Sequence, residues 1–325
     1  MENYRLTAPR YEKMKYRYCG KSGLMLSQIA LGFWHNFGYS FTPDGKLMDE
    51  RLPQDYARCR DIVHFAFDNG ITYYDLANNY GPPYGSAEEC FGKIMADGFK
   101  AYRDEIIVAT KAGYDMWPGP YGEWGSRKYL MASIDQSLKR MGMDYVDIFY
   151  SHRPDPRTPI EETMQALVDI VRAGKALYVG ISNYPADMAA KAYDYLAAHD
   201  TPCILYQGKY NMMVRGHEGD ILPQCAERGV GYVAFSPLNQ GLLTDRYLKG
   251  IPADSRMARS FFLDRNRDLT PEYYDFIRKV QADAAEQGLS IAQYALRWIL
   301  QRQEVTSVIV GASSVDQLRQ NLKAL

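Results

Sequence analysis

Short apolar segments that alternate with stretches of helical periodicity constrain this chain more than any other feature in it. Eight such segments, at residues 29–33, 71–75, 106–111, 145–152, 176–181, 203–207, 231–235 and 307–310, are rich in β-branched and aromatic residues. Between them, apolar residues recur three and four apart, as at Ile62, Phe65 and Ala66 or at Ile134 and Leu138. This spacing predicts helices over 55–69, 86–95, 127–141, 159–173, 185–198, 220–228, 271–287 with 290–301, and 315–322. Asn69-Gly70 and Gly174 stop two of them and Pro159 opens another. Ahead of the first unit, residues 14–18 and 24–26 flank Cys-Gly-Lys-Ser-Gly and read as a hairpin. By length alone, 325 residues suggest two domains, but eight strand–helix units with no linker in the composition point to one α/β domain. The expected fold is a single (β/α)8 TIM barrel over residues 15–325, with the hairpin before it, extra helices and loops at its C-terminal face, and a polar lead over 1–14. An open doubly wound sheet is the rival. A dinucleotide-binding sheet of that kind usually carries G-x-G-x-x-G after its first strand, and the chain has no such motif.

Several segments end on polar residues: Asp75, Lys111, His152 and the pair Ser182-Asn183, with Tyr80 five residues after Asp75. Singly these are uninformative, since an aspartate caps turns, a lysine decorates surfaces, a histidine is more often structural than catalytic, and Tyr80 is one of 27 tyrosines. In a barrel, however, strand C-termini converge on one face. There a lysine ammonium beside Tyr80 would favour its phenolate and lower its pKa, Asp75 would keep the lysine charged, and His152 would orient an oxygen gaining charge. Reduction of a carbonyl by hydride requires such a set.

Composition removes other classes. Lys+Arg number 38 against 39 Asp+Glu, so no net field draws the chain to nucleic acid or an anionic membrane, and the expected partners are small molecules and further copies of itself. Five dispersed cysteines without a C-x-x-C pair indicate neither a disulfide framework nor zinc, and no metal is expected. The polar N-terminus lacks an apolar signal core, and no run of about 18 apolar residues occurs. A cytoplasmic location is the expectation.

The segments D-L-A-N-N-Y-G, A-T-K-A-G, D-I-F-Y-S-H-R-P-D, K-A-L-Y-V-G-I-S-N and V-G-A-S-S-V-D-Q-L resemble the aldo-keto reductase superfamily from about residue 16 to the C-terminus. The resemblance implies NADP(H)-dependent reduction of a small aldehyde, such as L-glyceraldehyde 3-phosphate or methylglyoxal, by a homo-oligomer (tetramer or octamer). It places the catalytic tetrad on Asp75, Tyr80, Lys111 and His152, with Tyr80 as general acid. It implies substrate contacts at Trp34, Tyr80 and His152. Cofactor contacts fall on Trp34, Asp75, Ser182, Asn183, Gln207, Ser236, Pro237, Leu238, Gly241, Arg246, Arg256, Ser313, Gln317, Gln320 and Asn321. Of these, Asn183 and Gln207 can bracket a carboxamide, Ser313, with its neighbour Ser314, suits an anion at a helix N-terminus, and Arg256 could clamp a 2′-phosphate. The chain departs from the family at Thr244-Asp245-Arg246, where Gly-Lys is frequent, and in the polar insert 40–53.

Two rival functions remain in view. The family includes potassium-channel β subunits, cofactor-loaded binding modules with asparagine at the position of His152; the histidine favours turnover here. A sugar-phosphate isomerase or lyase would use Lys111 as a Schiff base. Trp34, Tyr114, Trp117 and Trp124 read either as a lid over substrate or as a patch for another subunit, and His35, Arg127 and Arg153 are candidates for a substrate phosphate.

Overall fold

The eight apolar segments pair in parallel and in chain order until the last meets the first. A computed structural model of the chain describes residues 10–34, 36–38, 53–81, 83–253, 255–259 and 263–325. The barrel strands are β3 (Ile29–Gly32), β4 (Tyr73–Asp75), β5 (Ile107–Ala112), β6 (Val146–Ser151), β7 (Ala176–Ser182), β8 (Cys203–Lys209), β9 (Gly231–Phe235) and β10 (Val305–Val310). Together they close a barrel in the order β10-β3-β4-β5-β6-β7-β8-β9. Helices α1 (Pro53–Asp68), α2 (Ser86–Ala96), α3 (Arg127–Met141), α4 (Ile160–Arg172), α5 (Ala186–Ala198), α6 (Ile221–Arg228), α9 (Pro271–Glu286), α10 (Ile291–Leu300) and α11 (Val315–Leu322) surround it, with two short helices, α7 (Arg256–Arg259) and α8 (Arg265–Asp268), between β9 and α9. The doubly wound alternative is thereby excluded.

Strand parity explains what faces inward. In β4, Tyr73 belongs to the barrel interior and Tyr74 to the layer between barrel and helices; in β6, Ile148 and Tyr150 face in while Phe149 lies in the outer layer. Because successive side chains alternate, Asp75 follows Tyr73 inward, Lys111 follows Ala109, and His152 follows Tyr150. One glycine is required by this packing: a Cβ on Gly180 would lie 2.3 Å from the Tyr150 ring. Outward-facing Thr110 donates to Glu88 Oε1 at 2.5 Å, and Arg140 Nε donates to Glu88 Oε2 at 2.7 Å. This buried pair fastens α2 and α3 to the back of β5, the strand that carries Lys111.

The hairpin, β1 (Tyr16–Tyr18) with β2 (Met25–Ser27), closes the opposite end. Leu26 and Cys19 enter the interior cluster, and Arg17 donates to the carbonyls of Leu300, Arg302 and Val305, where α10 ends and β10 begins.

The structure differs from the sequence expectations mainly at boundaries. β1 begins at Tyr16 rather than residue 14 because Tyr16 is opposite Ser27, and α1 starts at Pro53, a residue suited to a first turn. β10 begins at Val305, paired with Tyr232 of β9. The short helices α7 and α8 and the 3-10 turns Phe99–Glu105, Asn239–Gly241 and Asp245–Tyr247 carry no periodicity long enough to read. Of the 40–53 insert, all but Pro53 falls outside the described residues, as does His35.

Candidate active site

Asp75, Lys111 and His152 meet because each ends an inward-facing series on neighbouring strands. Lys111 Nζ donates to Asp75 Oδ2 at 2.7 Å and to the Leu76 carbonyl at 2.6 Å. It also stands 4.8 Å from the centre of the Tyr80 ring. Tyr80 reaches this position on the turn after β4, where its backbone N–H is bonded to Ala77 O and its carbonyl accepts from Ala87 at the start of α2. Its ring meets the His152 imidazole edge to face at 5.9 Å. Lys111 is wholly buried and Asp75 2% exposed, so the ion pair is maintained without water between its members.

Burial decides the charge states. Tyr80 lies well above the ordinary tyrosine value, through burial first, then the Asp75 carboxylate and Tyr114. The sequence expectation of a lowered value is corrected: desolvation penalises the phenolate, and the neighbouring Asp75 carboxylate adds to that penalty. Lys111 is itself lowered by burial, against which Asp75 and Glu88 act. His152 is pushed well below its ordinary value by burial and by the cations Lys111 and Arg153, so its ring is neutral at pH 7. Its Nδ1 is buried without a hydrogen-bond partner among the described atoms.

A pH dependence follows from the histidines. His64, His152 and His217 are all lowered by burial. An unfolded histidine binds a proton with a pKa of about 6.5. Below that value the unfolded chain therefore holds protons that the folded one refuses. Stability from these groups is complete above about pH 7 and declines as pH falls through about 6.5. Melting temperature is expected to drop between about pH 7 and 5.5, with a shallower slope in His152→Gln; an unchanged slope would remove His152 from this account.

The residues expected to hold a cofactor continue around the same face. Ser182 is buried, and Asn183, with φ at 61°, turns its Nδ2 to the His152 carbonyl at 3.1 Å and to Ser182 Oγ at 3.0 Å. Gln207 Nε2 donates to Asp75 Oδ1 at 2.8 Å, leaving its own carbonyl oxygen as an acceptor. After β9, Ser236 adopts φ 53°, Pro237 is buried, Leu238 packs against the core and Gly241 adopts φ 97°. The Arg256 guanidinium, partly buried and lowered by that burial, stands 5.5 Å from the Trp34 ring. At the start of α11, Ser314 caps the helix through Gln317 N, while Gln317 Oε1 accepts from Ser313 N at 2.7 Å. Asn321 Nδ2 is buried with no partner among the described atoms, and the Gln320 carbonyl accepts from Gln293. Arg246 is exposed on its 3-10 turn.

Of the candidate phosphate ligands, Arg127 is turned to Asp169 on α4, in the outer helix layer. The aromatic residues separate: Tyr114 meets His152 at 4.7 Å, Trp124 stacks on Arg153 at 3.6 Å, and Trp117 meets Tyr129 at 5.0 Å. A shallow groove of about 450 Å³ opens at the opposite end of the barrel beside Tyr11, Met25, Asp104 and Glu105. It holds none of these groups.

Residues that sequence reasoning missed lie directly beneath the ion pair. The Tyr73 hydroxyl is 3.3 Å from Asp75 Oδ1 and 3.1 Å from the Tyr150 hydroxyl. Two-residue spacing from Asp75 and His152 was the available signal, because it places both phenols on the inward parity.

Comparison with known proteins accords with this geometry. The Aldo/keto reductase family model matches residues 28–325. The chain is 51% identical over 322 residues to L-glyceraldehyde 3-phosphate reductase of Escherichia coli, in both O157:H7 and K12, covering 97% of this chain and 89% of the relative. It is 35% identical over 319 residues to a probable voltage-gated potassium channel subunit beta of Oryza sativa, covering 96% and 91%. With the family's model spanning the whole barrel, this chain belongs to the aldo/keto reductase family and is an oxidoreductase.

Proposed function

We propose that the protein reduces small aldehydes, with L-glyceraldehyde 3-phosphate and methylglyoxal as first candidates, to alcohols with NADPH. The observation that carries the reading is the joined set Asp75, Lys111, Tyr80 and His152: a protonated phenol over a buried ion pair, with a neutral imidazole beside it. Its relatives named for L-glyceraldehyde 3-phosphate support the substrate class. The reduced nicotinamide supplies the hydride. Ser182, Asn183 and Gln207 at the ends of β7 and β8 present the donors and acceptors that a carboxamide needs, and the unpartnered Asn321 Nδ2 suits the distal end of such a ligand.

As the carbonyl carbon is reduced, its oxygen becomes alkoxide-like and far more basic than a phenolate. A raised Tyr80 pKa is therefore no obstacle. It keeps the proton in place at neutral pH and releases it only to that oxygen. Lys111, two of whose three N–H groups are fixed by Asp75 and Leu76, stabilises the phenolate that forms. His152, neutral and held by its backbone at the Asn183 amide, has a ring N–H to align the carbonyl.

The test is loss of NADPH absorbance against a panel of aldehydes. Turnover of phosphorylated or dicarbonyl aldehydes supports the reading. Tight NADPH binding without turnover would instead favour a binding subunit, the role for which the Oryza sativa relative is named. Cofactor preference has its own test. Arg256→Leu is expected to raise the NADPH dissociation constant by roughly tenfold to a hundredfold, the worth of a charged hydrogen-bonded pair at about 1.5–3 kcal/mol, and to leave NADH almost unchanged. An equal effect on both would detach Arg256 from the 2′-phosphate.

A further inference from the structure

Arg153 follows His152 directly and is the cation closest in sequence to the reacting groups. Resting on the aldehyde-reductase reading, an obvious role would be to grip the phosphate of an anionic substrate. The geometry points elsewhere. A bidentate grip on phosphate uses two parallel N–H groups on one edge of the guanidinium. Here Nε donates to the Gly113 carbonyl at 2.8 Å and Nη2 to Glu123 Oε2 at 2.9 Å. That edge is occupied, and although Nη1 and the second Nη2 N–H remain on the adjoining edge, Glu123 offsets the charge that would draw a phosphate there. The flat faces are engaged too, with ring centres of Trp124 at 3.6 Å and Tyr114 at 4.3 Å from the guanidinium carbon.

Every one of these partners lies on the loop between β5 and α3. Gly113 and Trp124 stand at its two ends, joined by the bond from Trp124 N to Gly113 O at 3.0 Å, and Met116 N bonds to Gly122 O inside it. The loop carries Tyr114, whose ring rests at 4.7 Å on His152 and whose carbonyl accepts from the Tyr129 hydroxyl. An independent observation comes from the backbone: Trp124 has φ at 73°, a left-handed conformation that costs a bulky residue of order 1–3 kcal/mol and persists only where the surroundings over-determine it. Stacking on Arg153 and the bond to Gly113 supply that constraint.

We propose that Arg153 is a positioning residue that clips the 113–125 loop over the site, seating Tyr114 against His152, so that the loop presents an aromatic wall to the aldehyde instead of a cationic phosphate pocket. Its contribution is then the same for charged and uncharged substrates.

Arg153→Met keeps the stem and removes the fork. It is expected to lower kcat on the order of tenfold to a hundredfold through misplacement of His152. The loss should be by the same factor for L-glyceraldehyde 3-phosphate and L-glyceraldehyde, with NADPH affinity unchanged. Glu123→Gln should lose activity in the same substrate-blind way, to a smaller extent, and stands in if Arg153→Met does not fold. Limited proteolysis within 113–125 should quicken in both variants whether or not any aldehyde is turned over. That arm keeps the clip testable if the parent protein reduces neither aldehyde, the outcome that would sink the reductase reading itself. A loss confined to the phosphorylated substrate, unchanged kcat on both, or a loop as protected as in the parent protein would overturn the proposal.

Discussion

Tyr80→Phe is expected to abolish most turnover while the protein stays folded and keeps its cofactor. The substitution removes one oxygen and leaves a ring that still packs 4.8 Å from Lys111 Nζ and 5.9 Å from the His152 ring. General acid catalysis contributes typically 10²–10⁴-fold, so kcat should fall by at least about two orders of magnitude. Binding of NADPH, seen as protection against thermal unfolding, should persist, because the residues expected to hold it, Asp75 apart, lie on other strands and loops. Two measurements decide the matter: single-turnover reduction of an aldehyde, and melting temperature with and without NADPH. Retained turnover would remove Tyr80 from the role of acid. Lost protection would show that the substitution disturbs the cofactor site as well.

Lys111→Met tests a larger energy. Lys111 and Asp75 are both buried and bonded at 2.7 Å, with Asp75 Oδ1 further bonded to Gln207. Removing the cation leaves a carboxylate in a dry interior, and breaking such a pair costs about 3–5 kcal/mol. At roughly 2–4 °C per kcal/mol for a domain somewhat smaller than this one, the melting temperature should fall on the order of 10 °C. Turnover should be lost together with stability, since nothing then stabilises the Tyr80 phenolate. The double variant Asp75→Asn/Lys111→Met separates the two losses. Replacing the stranded charge by an amide is expected to recover most of the stability and none of the activity, a non-additivity that only directly coupled partners show. If the double variant were no more stable than Lys111→Met, the ion pair would not be the source of the cost.

Much of this was legible in the chain. Strand periodicity with helical periodicity between specifies a barrel because no linker interrupts it, and the parity of Tyr73 and Asp75, of Ala109 and Lys111, and of Tyr150 and His152 places the polar ends on the inner side. The sequence reading passed over two helix caps that follow local patterns: Ser290 and Gln293 form a reciprocal capping box, and Thr270 with Pro271 opens α9. What sequence could not settle were pairings between distant residues and the charge states that burial imposes. Gln207 reaches Asp75 across 132 positions, a contact made only when the barrel closes. Tyr80 was read as a phenol eased toward ionisation by a lysine. Its value rises instead, because desolvation depends on how completely the surrounding chain excludes water, and no spacing records that. Arg153 was a candidate phosphate ligand, and its contacts with Gly113, Glu123, Tyr114 and Trp124 are visible only in the folded chain. Local periodicity, a property of consecutive residues, determined the architecture, while the choice of candidate site residues rested mostly on the resemblance to a family. Partners, protonation and the free edges of each polar group depend on long-range closure and on dielectric, and only the tertiary structure decided them.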